Sequence, residues 1–303
     1  MLNFRYHIVS LIAVFAALAI GVVLGAGPLQ SRLASALSSS QASTSAADAA
    51  NLADAQRIAD ADAAGLNALA SAKLSGSLSG LKVATVSLPG ANADDVKSAT
   101  EALKSAGAEV VGAASLTDNW ESASMSQYRE TLSTPLATHL PSLPSDASGD
   151  AIIGFGVVSV LTSTGSETDL VKEILTDQST PILSLDSDPK GGAEAIVVIG
   201  ARDSAQSASD SQSAASAASP DAWAGLARAV AAASKSGVVV GDAHDSTSMV
   251  ASLRSTGAQV TTIDSPGTAL ANVSAVAALR DASAAARAFG VGEGAEKVLP
   301  DLP

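Results

Sequence analysis

The sequence contains no cysteine, few aromatic residues and fewer basic than acidic residues. The absence of cysteine excludes a disulfide framework, a thiolate metal site and a cysteine nucleophile. Aromatic residues make up 3% of the chain and hydrophobic residues 47%, so the core must be built from Val, Ile, Leu and Ala. With 30 acidic and 17 basic residues, the net charge of −13 disfavours binding to nucleic acid or to anionic lipid headgroups.

Common catalytic and cofactor-binding motifs are also absent. The chain has no G-x-S-x-G, no Walker A sequence and no H-E-x-x-H. The alternating glycines Gly290, Gly292 and Gly294 are predicted to follow a helix, whereas a dinucleotide-binding loop lies between a strand and a helix. We therefore expect a C-terminal turn here, and we expect the protein to carry no cofactor and not to be an enzyme.

A long apolar run predicts a membrane anchor within residues 1–27. Ile8–Gly27 has no charged side chain. As a helix it would extend about 30 Å, which matches the hydrocarbon core of a bilayer. Arg5 favours a cytoplasmic N-terminus and thus a single-pass protein with its C-terminal domain outside the cytoplasm. A cleaved signal peptide is the alternative, disfavoured by the length of the run, the lack of an A-x-A motif and Pro28 directly after it.

Residues 28–78 are predicted to form a helical stalk. Leu29–Leu74 contains no proline and one internal glycine, Gly65. Six residues follow a 3–4 spacing, but most lack the bulky side chains that a strong coiled coil needs. A dimerising coiled coil and a partly helical, solvated spacer both stay open. The six residues are Leu52, Ala55, Ala59, Asp62, Leu66 and Leu69.

Residues 79–303 are predicted to form an α/β domain. A strand at Leu81–Leu88, a helix at Asp94–Ser105 and a strand at Glu109–Ala113 make a unit whose strands must be parallel. Short apolar strands continue the alternation, which predicts a doubly wound, mostly parallel sheet covered on both faces. A low-complexity insertion is predicted near residues 204–219. The other predicted helices are Leu170–Leu175, Trp223–Ala233, Ser248–Ser255 and Val273–Ala288, and the other strands are Pro181–Leu185, Ala195–Ile199, Gly237–Gly241 and Gln259–Ile263.

Asp242, His244 and Asp245 are the candidate metal ligands. They follow the strand predicted at Gly237–Gly241, at the carboxyl end where open α/β sheets bind ligands. Imidazole and carboxylate groups are ligands for divalent metals. The alternative is a polar turn in which an Asp or Ser side chain caps the following helix.

Three stretches of the sequence carry a resemblance to a known family. They are FRYHIVSLIAVFAALAIGVVLGAG at residues 4–27, the segment from Leu78 to Trp120, and the segment from Val260 to Pro303 with its LP-rich end. All three resemble the actinobacterial MctB family of copper transport proteins. The resemblance implies a role in copper efflux and copper resistance, an outer-membrane location in the cell envelope, and copper ions among the partners.

The resemblance also implies a second function. A corynebacterial member of the family is implicated in cell separation together with a membrane protein. The alternative is therefore a non-enzymatic, membrane-anchored scaffold in cell separation or envelope maintenance. Its partner would be a membrane protein or further copies of the same chain.

The types of residue in the chain predict weak copper binding. With no cysteine and three methionines, the chain lacks the soft ligands that select Cu(I), so we expect no tight Cu(I) site. A weak Cu(II) site at His244 with Asp242 or Asp245 stays open.

Overall fold

The structure is a computed structural model that describes residues 28–202, 218–235, 237–281 and 285–302, with side chains from residue 48 onward. The anchor predicted at residues 1–27 and most of the insertion predicted at 204–219 lie outside the described residues. The chain divides into two compact units, Met1–Asp62 and Ala63–Pro303. The domain boundaries expected after residues 27 and 78 stay predictions.

Helix α1 (Pro28–Leu74) covers 47 residues, in the segment where the sequence predicts a helical stalk. Pro28 occupies the first position of the helix, where the missing backbone N–H has no intrahelical acceptor in any case. All side chains from Asp48 to Asp62 are exposed. Within the described ranges, no helix is both long enough and apolar enough to cross a membrane.

The α/β unit alternates strands with helices. Its first half contains β1 (Lys82–Ser87), α2 (Ala93–Ser105), β2 (Glu109–Leu116), α3 (Asp118–Glu121), α4 (Ser126–Thr138), α5 (Gly149–Thr162), α6 (Ser166–Leu175) and β3 (Leu183–Ser187). Its second half contains β4 (Ala195–Ile199), α7 (Pro220–Ala231), β5 (Val238–Val240), α8 (Met249–Ser255), β6 (Thr261–Ile263), α9 (Ala269–Arg280) and β7 (Ala288–Phe289).

The strands form one seven-stranded sheet in the order β3-β2-β1-β4-β5-β6-β7. Strand β3 pairs antiparallel with β2 at one edge, and all the other neighbours are parallel. The chain order reverses between β1 and β4, as in doubly wound folds. This arrangement confirms the mostly parallel α/β sheet that the sequence predicts.

Helices cover both faces of the sheet, which is why β4 is buried along its whole length. Its residues alternate between two hydrophobic clusters, as successive side chains of a strand must. Ile196 and Val198 belong to the cluster that contains side chains of α5 and α7. Val197 and Ile199 belong to the cluster that contains side chains of α2 and α9. The continuous apolar run Ala195–Ile199 therefore reflects two covered faces.

Helices α5 and α7 pack closely because a glycine of each faces the other backbone. A Cβ on Gly154 would lie 2.8 Å from the carbonyl oxygen of Gly225. A Cβ on Gly225 would lie 2.6 Å from the backbone nitrogen of Ala151. The sequence does not predict the helix at residues 149–162, because its apolar side chains show no one-sided periodicity. Most of them are buried.

The C-terminal region differs from the prediction in two respects. The last helix was expected at Val273–Ala288, but α9 ends at Arg280 and Ala288–Phe289 form strand β7 instead. The alanine-rich sequence favours helix locally, but pairing with the exposed edge of β6 decides the outcome. The glycines from Gly290 consequently follow a strand and not a helix. No helix follows them within residues 291–302.

A buried ion pair joins this C-terminal segment to the sheet. The carboxylate of Asp264 accepts backbone N–H groups of Val291 at 2.8 Å and Gly292 at 2.9 Å. Arg254 Nη1 lies 3.0 Å from Asp264 Oδ2, and both side chains are at most 6% exposed. Arg254 also donates to the carbonyl oxygen of Phe289 at 2.8 Å. Burial raises the pKa of Asp264, but these donors outweigh burial and hold it below its ordinary value.

We expect Asp264→Asn to lower the free energy of unfolding by about 3 kcal/mol, because it leaves the Arg254 charge buried without a counterion. Asp301→Asn is the matched control, since Asp301 is 87% exposed and pairs with Lys297 in the same segment. The Asp301→Asn variant should lower the free energy of unfolding by less than about 1 kcal/mol. Denaturant unfolding of both variants measures the difference, and equal losses would contradict the proposed anchoring role.

The Asp264–Arg254 ion pair also predicts that the protein loses stability in acid. Because the pKa of Asp264 is lower in the folded state, its contribution is fully present above the unfolded pKa of about 3.9. It is lost as the pH falls through the folded pKa. The stability of the native chain should therefore drop more steeply in this acid range than that of Asp264→Asn, and parallel curves would refute the assignment.

Candidate functional site

The candidate site is the carboxyl edge of the sheet, where the segments after β1, β4, β5 and β6 meet. Doubly wound folds bind ligands there, next to the point where the strand order reverses. In this chain that point lies between β1 and β4. The polar side chains of these segments determine which ligands the carboxyl edge could bind.

An ion pair occupies the reversal point. Asp95, in the first turn of α2, is buried. Its carboxylate accepts Arg202 Nε at 2.7 Å, and Arg202 comes shortly after β4. In nucleotide-binding relatives of this fold, a phosphate group takes the position at the helix N-terminus. Here the first turn of α2 carries Asp94 and Asp95, so it presents negative charge where a phosphate would bind.

The turn after β6 packs against the same ion pair. Gly267 has a φ of +79°, and a Cβ at this position would lie 2.5 Å from Asp95 Oδ1 and 2.6 Å from Arg202 Nε. Only a glycine fits without strain, because the backbone is in the left-handed region and the space is already filled. The segments after β1, β4 and β6 are therefore packed against one another.

The predicted metal ligands lie in the turn between β5 and α8. Asp242 is buried, and its carboxylate accepts the backbone N–H of His244 at 2.9 Å and the hydroxyl of Ser248 at 2.8 Å. Asp245 accepts the backbone N–H of Thr247 at 2.8 Å and that of Ser248 at 3.1 Å. Donation from Thr247, by its hydroxyl and then its backbone, holds the pKa of Asp245 below its ordinary value. His244 is exposed.

This turn satisfies its own polar groups. Ser248 is the N-cap of α8, but its side chain makes no capping hydrogen bond, and its backbone N–H donates to the Asp245 carboxylate. Both carboxylates are thus engaged by the turn, and across the described residues no three His, Asp or Glu side chains converge in a way that could hold a metal ion. The metal site at Asp242, His244 and Asp245 stays a prediction.

The soft ligand nearest in sequence to this turn is buried. Met249 is 5% exposed. A Cβ on Gly241 would lie 2.2 Å from the Met249 methyl carbon, so the thioether fills the space beside that glycine. A surface copper ion at His244 would have to recruit Met249 from the core.

The two ion pairs that organise this edge are not predicted from the sequence. Arg202 and Asp264 follow β4 and β6 as Asp242 follows β5. The rule that drew attention to Asp242, a polar residue just after a buried strand, would have found both. Their partners Asp95 and Arg254 lie on helices, and no spacing in the sequence connects them to these strands.

The fold and this edge define the class of protein. It is a doubly wound α/β domain in which the carboxyl edge of the sheet is occupied by the chain's own ion pairs and turn hydrogen bonds. Comparison with known families adds the next level of identity: the family model described as copper transport outer membrane protein, MctB, matches residues 1–300. The chain belongs to this family, which confirms the resemblance noted in the sequence and supports a copper-related role in the cell envelope. No curated protein matches the chain significantly.

We expect Gly267→Ala to destabilise the protein more than Gly257→Ala. Both glycines have positive φ, of +79° and +70°, but a Cβ at Gly257 meets nothing within 4 Å. Both variants carry the backbone strain of about 1–2 kcal/mol, and only Gly267→Ala also displaces the Asp95–Arg202 pair. Thermal unfolding measures the difference; equal shifts would show that the edge is loosely packed.

Proposed function

We propose that this chain is a membrane-anchored, non-enzymatic envelope protein that supports copper tolerance through assembly with a partner and not by chelating copper tightly. Membership of the MctB family supports the copper-related part. The engagement of the Asp242 and Asp245 carboxylates by their own turn supports the absence of a tight site. The apolar run at Ile8–Gly27, which lies outside the described residues, supports a single N-terminal anchor.

Helix α1 supports the assembly part of the proposal. Leu52, Ile58 and Leu69 are 60%, 54% and 61% exposed, although large apolar side chains on a helix normally face a neighbour. Long helices in water depend on packing for most of their stability. In this proposal α1 packs against a membrane-protein partner or against a second copy as a coiled coil.

A scaffold in cell separation or envelope maintenance is the second candidate. The same exposed residues of α1 favour it, because they fit a partner whether or not copper is involved. The two functions differ in what the cell loses without the protein. Copper transport predicts metal sensitivity, and a separation scaffold predicts a defect in septation.

We expect the Ala63–Pro303 unit to bind copper no more tightly than about micromolar, a free energy near −8 kcal/mol. Any residual Cu(II) binding should be lost in His244→Ala, because imidazole is the strongest ligand of the candidate set. His139→Ala is the matched control, since His139 lies elsewhere and pairs with Glu167 at 2.7 Å. Titration with Cu(I) against a competing chelator, and with Cu(II) by calorimetry, gives both affinities. A stoichiometric nanomolar site would overturn the proposal.

A deletion strain separates the two functions. Copper transport predicts impaired growth on copper with normal septa, rescued by the native chain and equally by His244→Ala if chelation plays no part. Rescue should fail when Leu52, Ile58 and Leu69 are together replaced by Ser, because the partner surface is lost. Normal copper tolerance with unseparated cells would favour the scaffold, and failure of His244→Ala alone would point to direct coordination.

A further inference from the structure

Helix α1 carries one side that is both apolar and acidic. At 3.6 residues per turn, each residue of a helix is turned by about 100° from the one before it. Leu52 and Ile58 therefore stand about 120° apart around α1, and Asp48 and Asp62 fall in the arc between them. We call the residues of this arc the acidic face of α1. They are Asp48, Asn51, Leu52, Ala55, Ile58, Ala59 and Asp62.

The whole acidic face lies within the unit Met1–Asp62, and all of its side chains are exposed. Leu52 and Ile58 are 60% and 54% exposed. Among the side chains that the structure describes, none forms an ion pair with Asp48 or Asp62. Two large apolar side chains and two carboxylates are thus available to a partner on the same side of the helix.

The other charges of this stretch do not balance the acidic face. Arg57 is the only cation in the sequence between Asp48 and Lys73. It lies outside the arc and pairs at 3.2 Å with Asp54, which is also outside the arc. Asp60 lies on the opposite side of the helix, because two residues turn it by about 200° from Asp62. The negative charge of the acidic face therefore needs a cation from elsewhere.

A second copy of α1 does not supply that cation. In a parallel pair of identical helices each seam residue meets its own counterpart, so Asp48 and Asp62 would each face the same carboxylate of the other copy. An antiparallel pair would place these carboxylates against other residues of the same face, which contains no Lys or Arg. The net charge of −13 on each chain adds to the repulsion.

A basic helix complements the acidic face in both charge and shape. Ala55 and Ala59 lie between the two acids in the arc and leave room for the long stem of a Lys or Arg side chain. Such stems lie along apolar surface while their charged ends reach outward, here to a carboxylate. Asp48 and Asp62 are two heptads apart, so cations with the same spacing on one partner helix would meet both.

We propose that the acidic face of α1 binds a partner helix that carries Lys or Arg among apolar residues, two heptads apart. The inference rests on the proposed function, in which α1 packs against a partner, and it gives that partner its chemistry. Contacts with Leu52 and Ile58 supply apolar burial. Because exposed ion pairs contribute little energy each, Asp48 and Asp62 act mainly by selecting a basic partner and rejecting an acidic one.

The experiment uses a synthetic helical peptide of about three heptads. The peptide is built from Leu, Ala and Gln, with two lysines two heptads apart on its apolar side, and its control has Gln in place of both lysines. Because the chain contains no cysteine, Asn51→Cys and Ala53→Cys each give the full-length chain, in neutral detergent, one site for a dye. Asn51 is on the acidic face and Ala53 is on the opposite side.

We expect the lysine peptide to change the emission of the dye at Asn51 and not that of the dye at Ala53. The control peptide should bind about tenfold more weakly, the combined effect of two exposed ion pairs. At about 1 M salt, where the Debye length is about 3 Å, the two peptides should bind equally.

Charge variants of the chain locate the contact. Asp62→Asn should weaken binding of the lysine peptide about threefold, the effect of one exposed ion pair. Asp60→Asn is the matched control, because it removes the same charge from the opposite side, and it should change binding by less than about twofold. Asp48→Lys combined with Asp62→Lys should reject the lysine peptide and bind a peptide that has Glu at both lysine positions.

Three results would overturn the proposal. They are equal binding of the lysine and control peptides at low salt, equal effects of Asp62→Asn and Asp60→Asn, and a double lysine variant that does not exchange one peptide for the other. Self-association of the full-length chain would also overturn it, if Ile58→Ser abolishes that association and Asp62→Asn strengthens it. The acidic face would then belong to a second copy.

The peptide experiment and the deletion strain fail independently of each other. If the lysine peptide binds as expected, and the chain with both Asp48→Asn and Asp62→Asn restores copper tolerance in full, the inference holds and the proposed function fails. If the peptides show no preference, but joint replacement of Leu52, Ile58 and Leu69 still prevents rescue, the inference fails and the proposed function stands.

Discussion

The shortage of aromatic side chains is the constraint on which the rest of this structure depends. A sheet buried on both faces must be covered without large rings, so the helices approach closely and the core is filled by aliphatic and small residues. The facing glycines Gly154 and Gly225 show how near α5 and α7 come. Such packing leaves little room for side chains to adjust. Both tryptophans lie in one of the two hydrophobic clusters, where they fill a large volume.

Close packing extends to the carboxyl edge, and it distinguishes this domain from the nucleotide-binding proteins that share its strand order. Those proteins leave a helix N-terminus open for phosphate. Here Asp95 supplies the negative charge from within the chain, Arg202 balances it, and the turn at Gly267 packs against the pair. The domain thus keeps the architecture of a ligand-binding fold while its own side chains fill the usual binding position.

Much of the fold could be predicted because apolar runs and turn residues are local signals. Ala195–Ile199 was assigned with its observed boundaries, and the unit from β1 to β2 was placed within a few residues. The final helix was extended too far because alanine-rich sequence carries no information about the free edge of β6. The ion pairs at the site were missed for a related reason: Asp95 and Arg202 are 107 residues apart, and only the crossover of the chain brings them together. Asp242 could be singled out from its place after a strand. Its role in the turn depends on hydrogen bonds that the sequence alone does not show.

The attachment of the C-terminal segment has a consequence for biogenesis. Asp264 becomes buried together with β6, but two of the groups that donate to it, the backbone N–H groups of Val291 and Gly292, come later in the chain. Arg254 likewise donates to the carbonyl oxygens of Phe289 and Glu293. A chain that stops short of these residues leaves a carboxylate and a guanidinium in a half-built interior. The interior around Asp264 and Arg254 is therefore complete only after residues 289–293 have been synthesised and have packed against the sheet.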